Sequence, residues 1–266
     1  MSVTLTVATI NLFGWHGRAP ERFPLLEAGL AGALPDLVAL QEVAVSQQVG
    51  TRLVETLNGA VAAHGVGQPY AYVEQRHLHD PDLSVGVLVR GPILDWQWLD
   101  LGGQGRVALA VSTELAGRRL GFVCTHLFWD IGPAGDAARV YQARRLRTWV
   151  AELFGDTIAV VGGDFNATPQ SPAYNLLRER WLSLYAAWHG TEPTWTTATP
   201  LAPAPHGWRG TVDYLFLAPA TAPVQVLDAR LFLDTPASHD PALYPSDHLG
   251  VLARIGLPPV ERSTSG

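Results

Sequence analysis

Three observations predict a mixed-sheet α/β layered domain for this chain of 266 residues. Strand-like runs outnumber helical ones. Hairpin-like pairs and strand–helix–strand units both occur, which sets the chain apart from a purely parallel, doubly wound sheet. No repeat, heptad or linker divides it, so residues 1–257 read as one domain, near the upper end of what one domain supports, with a frayed tail at 258–266.

The elements follow in order. Val3, Leu5 and Val7 alternate with Thr4 and Thr6, a half-buried strand. Residues 21–34 read as a helix stopped by Pro35, and 37–40 as an apolar strand. A second helix spans 46–63, opening at Ser46, a good N-cap type. Strands come next around 69–74, 84–90, 106–114 and 119–126. Residues 136–154 give the clearest helix, with Leu146, Trp149, Val150, Leu153 and Phe154 on one face and Arg144, Arg145 and Arg147 off it as a solvated run. A strand at 157–162, short helices within 171–187, and strands at 211–217, 224–232 and 249–255 complete the pattern. Two long connections remain, 189–210 and 234–247, and loops of that length in a compact domain are usually functional or disordered. Trp195, Trp208 and Arg209 suggest an ordered rim over a cleft; for residues 198–206 a loose Ala-Pro excursion fits equally well.

Composition narrows the function classes. Hydrophobic residues make up 47%, enough for a large core, and the net charge of −6 argues against a broad non-specific grip on duplex DNA. A phosphate held by a metal and a few local cations is compatible with that charge. The 18 basic residues are all arginine, the side chain suited to bidentate phosphate contacts, although codon bias explains the usage as well. Cys124 is the only cysteine, so no internal disulfide forms. No apolar stretch reaches transmembrane length and no secretory leader is evident, so the expected location is a reducing, cytoplasmic one.

Chemistry concentrates in short polar motifs that end apolar runs: Asn11; Gln41-Glu42; Thr125-His126; Gly163-Asp164-Phe165-Asn166; and Ser246-Asp247-His248 near the C-terminus. Loops at the ends of rigid strands commonly carry catalytic groups. Glu42, Asn11 and Asp247 supply oxygen ligands of the kind a hard divalent cation takes. Asp164 and Asn166, two apart, face one way in an extended turn; the carboxylate could take a proton from water and the amide contact a phosphate oxygen. An Asx-type turn is the bland alternative. His126 reads as a donor to a phosphoryl oxygen, whereas Cys124, among Leu120, Phe122 and Val123, reads as an inert buried thiol. Asp213, early in an apolar strand, needs a partner, and His248 is the candidate; an edge charge and a core histidine are the alternatives. The stretch His77-Leu78-His79-Asp80 has metal-like spacing but no third ligand nearby, and reads as a solvated loop. No Gly-rich phosphate loop, zinc His-Glu-x-x-His or serine elbow is present, nor the early Asp-x-His and Gly-Asn-His of calcineurin-type metallophosphatases.

In their order and spacing these strings resemble the endonuclease/exonuclease/phosphatase superfamily. The match runs from Ala8-Thr9-Ile10-Asn11 through Leu40-Gln41-Glu42, Thr125-His126-Leu127, Gly163-Asp164-Phe165-Asn166 and Val212-Asp213-Tyr214 to Ser246-Asp247-His248. The resemblance implies a four-layer sandwich of two packed mixed sheets flanked by helices. It implies Mg²⁺- or Mn²⁺-dependent hydrolysis of a phosphate ester, with one metal or two. Glu42 then looks like the principal metal ligand with Asn11 and Asp247 close by. Asp164 looks like the group that orients and deprotonates water, Asn166 and His126 like phosphate contacts, and Asp213 with His248 like the pair stabilising the pentavalent phosphorus. Deoxyribonucleases of the superfamily carry a Glu that pairs with the histidine at the position of His126. Here the matching region reads Pro81-Asp82-Leu83-Ser84-Val85, which leaves His126 without that partner. An Arg-x-x-Gln-Ala helix start at Arg139 and Gln142 recurs in bacterial members and reads as structural. The expected partner is a phosphate-ester substrate, a small or medium ester ahead of long DNA. A nuclease is the runner-up, and a catalytically silent binding module or a phospholipid phosphodiesterase remain further alternatives.

Overall fold

The computed structural model of the protein describes residues 3–65 and 67–258. The chain runs β1 (Val3–Asn11), α1 (Ala19–Ala33), β2 (Leu37–Ala44), α2 (Val49–His64), β3 (Tyr70–Arg76), β4 (Leu83–Arg90), β5 (Ile93–Asp100), β6 (Val107–Leu115) and β7 (Arg118–His126). It continues with α3 (Pro133–Phe154), β8 (Ala159–Asp164), α4 (Pro172–Arg178), β9 (Leu182–Ser183), α5 (Leu184–His189), β10 (Asp213–Ala218), β11 (Gln225–Phe232) and β12 (Gly250–Leu257). Apart from Pro258, the expected tail lies outside the described residues.

The strands form two six-stranded sheets, ordered β11-β12-β1-β2-β4-β3 and β5-β6-β7-β8-β10-β9. The pairs β1–β2 and β7–β8 are parallel and the others antiparallel, so both sheets are mixed. Period-2 alternation sorts their side chains. Leu5 and Val7 of β1, Leu37 and Ala39 of β2, Phe122 and Cys124 of β7, and Leu215 and Leu217 of β10 point between the sheets into one buried cluster. The opposite face of the first sheet packs Ile10, Val38, Leu40 and Leu88 under Phe23, Leu26 and Leu30 of α1 and Leu53 and Leu57 of α2. The opposite face of the second packs Ala108, Val123, Val161 and Phe216 under Leu146 and Val150 of α3 and Tyr174 and Leu177 of α4. The result is the helix–sheet–sheet–helix sandwich that the family resemblance implies. Each fully buried Leu or Phe contributes about 1.5–3 kcal/mol through removal from water.

Several local expectations change. The edge strand β5 was not anticipated: Leu94, Trp96 and Trp98 alternate as a strand should, but all three are exposed, so its apolar pattern signals no core. Ser46 does not cap α2; its backbone N–H donates to Asp82 Oδ1 and the helix begins three residues later. The segment 171–187 divides into α4 and α5 because Ser171 and Ser183 each accept a hydrogen bond from the backbone N–H three residues on, giving two N-caps. The 189–210 connection is pinned: Thr196 Oγ1 accepts from the N–H of Val212 and of Asp213, and the Leu249 N–H donates to the Thr196 carbonyl. The Arg209 guanidinium lies 4.5 Å over the Trp195 ring. Of the arginines expected on a solvated face, Arg145 and Arg147 donate to the Asp100 and Leu176 carbonyls.

Candidate active site

The inward-facing rows that carry the core become polar at one end of both sheets. On β1 the row Leu5, Val7 continues to Thr9 and Asn11; on β7 Phe122 and Cys124 lead to His126; on β8 Val160 and Gly162 lead to Asp164. β10 is antiparallel to β8, so its first residue, Asp213, lies directly opposite Asp164. The parallel β7 brings His126 opposite Asp164 from the other side. β12 is antiparallel to β1, which brings the preceding Ser246-Asp247-His248 segment to the same end. Gly162 has a packing reason: a Cβ there would lie 3.0 Å from the Cβ of Ala39 and 3.2 Å from that of Thr9, so the sheets approach closely beneath the site.

Glu42 is the exception to the alternation. Period 2 aims it outward with Val38 and Leu40. A register shift in the β2–β4 pairing between Leu40 and Val43, with Glu42 at φ 51°, breaks the period and turns its side chain to the site. A non-glycine residue in the left-handed region is strained, and such strain gathers where the surroundings hold a functional geometry. Gln41 stays inward and buried, its amide donating to Thr9 Oγ1 at 3.2 Å and Cys124 Sγ at 3.1 Å. Burial pushes the Cys124 thiol up to about 12, which leaves it protonated and unreactive.

Asp164 is the hub of the cluster. Its Oδ2 accepts from Asn11 Nδ2 at 3.1 Å and lies 3.4 Å from His126 Nε2 and 4.0 Å from His248 Nε2. Its Oδ1 accepts from the Asn166 backbone N–H at 2.8 Å. Asn11 Nδ2 also donates to Glu42 Oε1 at 3.2 Å, and His126 Nε2 is 4.0 Å from the same oxygen. His248 Nδ1 bonds Asp213 Oδ2 at 2.9 Å. Ser246 Oγ donates to the Asn11 carbonyl at 2.6 Å and lies 3.3 Å from Asp247 Oδ1. All eight residues singled out in the sequence therefore lie in or beside one cluster. Asn166 differs in detail: its side-chain amide donates to the Leu127 carbonyl at 3.1 Å, so one of its two N–H groups is already engaged.

The electrostatics divide the histidines. Burial opposes a charge on His248, but Asp213, Asp247 and Asp164 outweigh it and hold the imidazole well above the ordinary range, as a cation. Burial, Arg106, His77 and His248 hold His126 well below it, as a neutral ring. Burial, then Asp213, pushes Asp164 up to about 7. Burial, then Glu42, pushes Asp247 up to about 6.

Three arginine or histidine roles escaped the sequence reading. His77 is a correction: it is buried, its ring meeting His126 edge-on at 5.7 Å, and only the following residues 78–80 are polar loop. Arg106, immediately before β6, puts Nη1 3.0 Å from His126 Nδ1, so that a cation and not a carboxylate faces that nitrogen. Arg22 of α1 is fully buried and donates to the carbonyls of Leu12, Phe13, Gly14, His16 and Pro245, tying the β1 exit to the segment before Asp247. Arg22 sits one turn into a helix, where sequence alone gives no sign that it points inward. Arg139 and Gln142 are structural as expected, fixing the loop after His126 through the Phe128 and Asp130 backbone.

The donor set fits a hard divalent cation. Asn11 Nδ2 bridges Glu42 and Asp164, Asp213 lies opposite Asp164, Glu42 acts electrostatically on Asp247, and Asp213 Oδ1 is buried with no hydrogen-bond partner among the described residues. Ligand atoms of Asp164, Asp213 and His248 lie within 4.8 Å of one another, although His248 Nδ1 is already committed to Asp213. A cation among these oxygens offsets the mutual repulsion of the carboxylates.

A family model described as the Endonuclease/Exonuclease/phosphatase family matches residues 15–248. No curated protein matches at a significant level. Among solved structures, a mannosyl-6-phosphatase from Bacteroides thetaiotaomicron is 20% identical, with a TM-score of 0.74 and coverage of 94% of this chain and 99% of that one. The human nocturnin catalytic domain with a bound sulfate anion is 19% identical at TM-score 0.74, covering 96% of each chain. TDP2 from D. rerio, complexed with single-strand DNA product, is 19% identical at TM-score 0.73, covering 95% of this chain and 98% of that one. At these identities the likeness is one of fold.

Proposed function

This chain belongs to the Endonuclease/Exonuclease/phosphatase family, and on that premise we propose that it is a divalent-metal-dependent hydrolase of phosphate esters. The observation that carries the reading is the Asp164 cluster, in which a base with a raised pKa faces the neutral His126 ring at 3.4 Å and the cationic His248 ring at 4.0 Å. Glu42, Asp247 and Asn11 would hold Mg²⁺ or Mn²⁺, which when bound supplies Lewis-acid polarisation of a phosphoryl oxygen.

The chain's own residues do the rest. A water beside Asp164 gives its proton to Oδ2 as its oxygen attacks phosphorus in line. The opposite P–O bond breaks, the departing oxygen takes up a proton from solvent, and Asp164 releases to solvent the one it took. Asp164, held near neutrality, suits a general base, because a base works best with a pKa close to the working pH. His248, kept charged by Asp213, and His126, as a neutral donor, face the negative charge that develops on the phosphoryl oxygens. The free N–H of the Asn166 amide adds a further donor.

Nuclease, lipid phosphodiesterase and sugar phosphatase activities would share this centre. Net charge −6 favours a small or medium ester over long DNA. A strand-tracking nuclease is the second reading, favoured by the exposed Trp129 just beyond His126, since bases stack on such an aromatic face. A panel running from bis-p-nitrophenyl phosphate and nucleotides to DNA and phospholipids, with Mg²⁺ or chelator, tests both. The proposal requires chelator-sensitive hydrolysis of at least one class, and loss of about 10²-fold or more in kcat in Asp164→Asn and His248→Ala. Full activity in those variants at saturating metal rejects it.

A further inference from the structure

We propose that Arg106 is a positioning residue that locks His126 in the tautomer with its proton on Nε2, so that His126 serves as a neutral hydrogen-bond donor to the substrate phosphate. Its consequence for turnover rests on the phosphate-ester reading above; the tautomer itself does not.

The argument is one of donors and lone pairs. Arg106 Nη1 lies 3.0 Å from His126 Nδ1 and 3.5 Å from His77 Nε2. A terminal guanidinium nitrogen carries two hydrogens and no acceptor capacity. Both imidazole nitrogens that face it must therefore present lone pairs. His126 Nδ1 is then bare, and its proton sits on Nε2, the atom 3.4 Å from Asp164 Oδ2. The same logic leaves the proton of His77 on Nδ1, a buried atom with no hydrogen-bond partner among the described residues. His77 thus spends a donor inside the protein to offer Arg106 its other nitrogen. Burial and Arg106 hold His77 down to about 3, in keeping with a permanently neutral ring.

The backbone around Arg106 is built to hold it there. Gly105, at φ 69°, accepts a hydrogen bond from the Leu78 N–H on its carbonyl, and a Cβ on it would fall 2.6 Å from the backbone nitrogen of His79. The Arg106 carbonyl accepts from the Leu101 N–H. The segment that leads into β6 is therefore clamped against the residues after His77, and one guanidinium nitrogen reaches one nitrogen of each ring.

The arrangement inverts the one implied by the family resemblance. A glutamate beside Nδ1 accepts a proton there and supports an imidazolium. An arginine beside Nδ1 donates, and excludes a proton from that atom. His248, whose Nδ1 faces Asp213, keeps the carboxylate version. The two histidines around Asp164 then have different jobs: His248 carries charge, and His126 only donates from Nε2.

Long-range ¹H–¹⁵N spectra of ¹⁵N-histidine-labelled protein read the tautomer directly, with His126→Gln used to assign the resonances. The wild-type protein in chelator should show a bare Nδ1 and a protonated Nε2 on His126 at neutral pH. Arg106→Met should lose that pattern, and Arg106→Lys, which still donates, should retain it. On bis-p-nitrophenyl phosphate, Arg106→Met should lower kcat by about 10- to 100-fold with KM little changed, and Arg106→Lys should recover most of it. A protonated Nδ1 in the wild type, or an unchanged His126 pattern in folded Arg106→Met, overturns the inference. A wild-type protein with the expected tautomer but no hydrolysis of any ester sinks the functional reading and leaves the tautomer lock standing.

Discussion

Arg22 shows how much a single buried side chain does here. All five of its N–H groups go to carbonyls, so burial holds its guanidinium down to about 10 while leaving it charged. Arg22→Leu strands several buried carbonyls at once, and we expect a loss of about 3–5 kcal/mol in urea unfolding; a loss under about 1 kcal/mol contradicts the assignment. Titration of the carboxyls gives a second prediction. Asp164 and Asp247 sit above their ordinary 3.8, so the folded protein retains protons that the unfolded chain releases. Their contribution to stability is complete below that value and lost as pH rises through about 6 and about 7. His248 acts in the same sense: its contribution is complete below 6.5 and lost as pH rises through its higher folded value. In chelator, Tm should therefore fall between about pH 4 and pH 8, and a divalent cation should restore it most at the alkaline end. A flat Tm in chelator contradicts this. Glu42, Asp164 and His248 stood out in the sequence because each sits at one end of an apolar run, the first two after it and His248 just before it. Arg106 and His77 were not, because a guanidinium and a lone imidazole in polar company look alike whether wet or buried.

Among the elements, the helices and inner strands were legible because their apolar periodicity has a partner surface. β5 was not: its alternation is genuine, but Leu94, Trp96 and Trp98 face solvent at a sheet edge, and only the pairing with β6 makes it a strand. The bulge in β2 was equally hidden, since nothing in Leu40-Gln41-Glu42-Val43 marks the switch that redirects Glu42. The difference between inner and edge elements is measurable. Leu146→Ala on α3 removes a fully buried side chain and should cost about 2–5 kcal/mol, whereas Trp96→Ala on β5 should cost under about 1 kcal/mol. Equal losses in urea unfolding would mean that β5 is covered in solution.

At the scale of the molecule, two mixed sheets, each with strands of both directions, bring motifs more than two hundred residues apart to one end of the sandwich. The motif order revealed that convergence; the strand order β11-β12-β1-β2-β4-β3 explains it, because β12 and β10 enter the site where β1 and β8 leave it. The balance of charge belongs to this scale too. If the chain tracks nucleic acid, cleavage of DNA should weaken steeply as salt rises, whereas a small ester should feel salt weakly. The most direct test of the whole account is calorimetric titration of the metal-free protein with Mn²⁺, paired with hydrolysis assays on the same samples. The account predicts saturable binding that restores turnover in the wild type and is lost or strongly weakened in Glu42→Gln. Hydrolysis that persists in chelator, or Mn²⁺ binding untouched by Glu42→Gln, would contradict it.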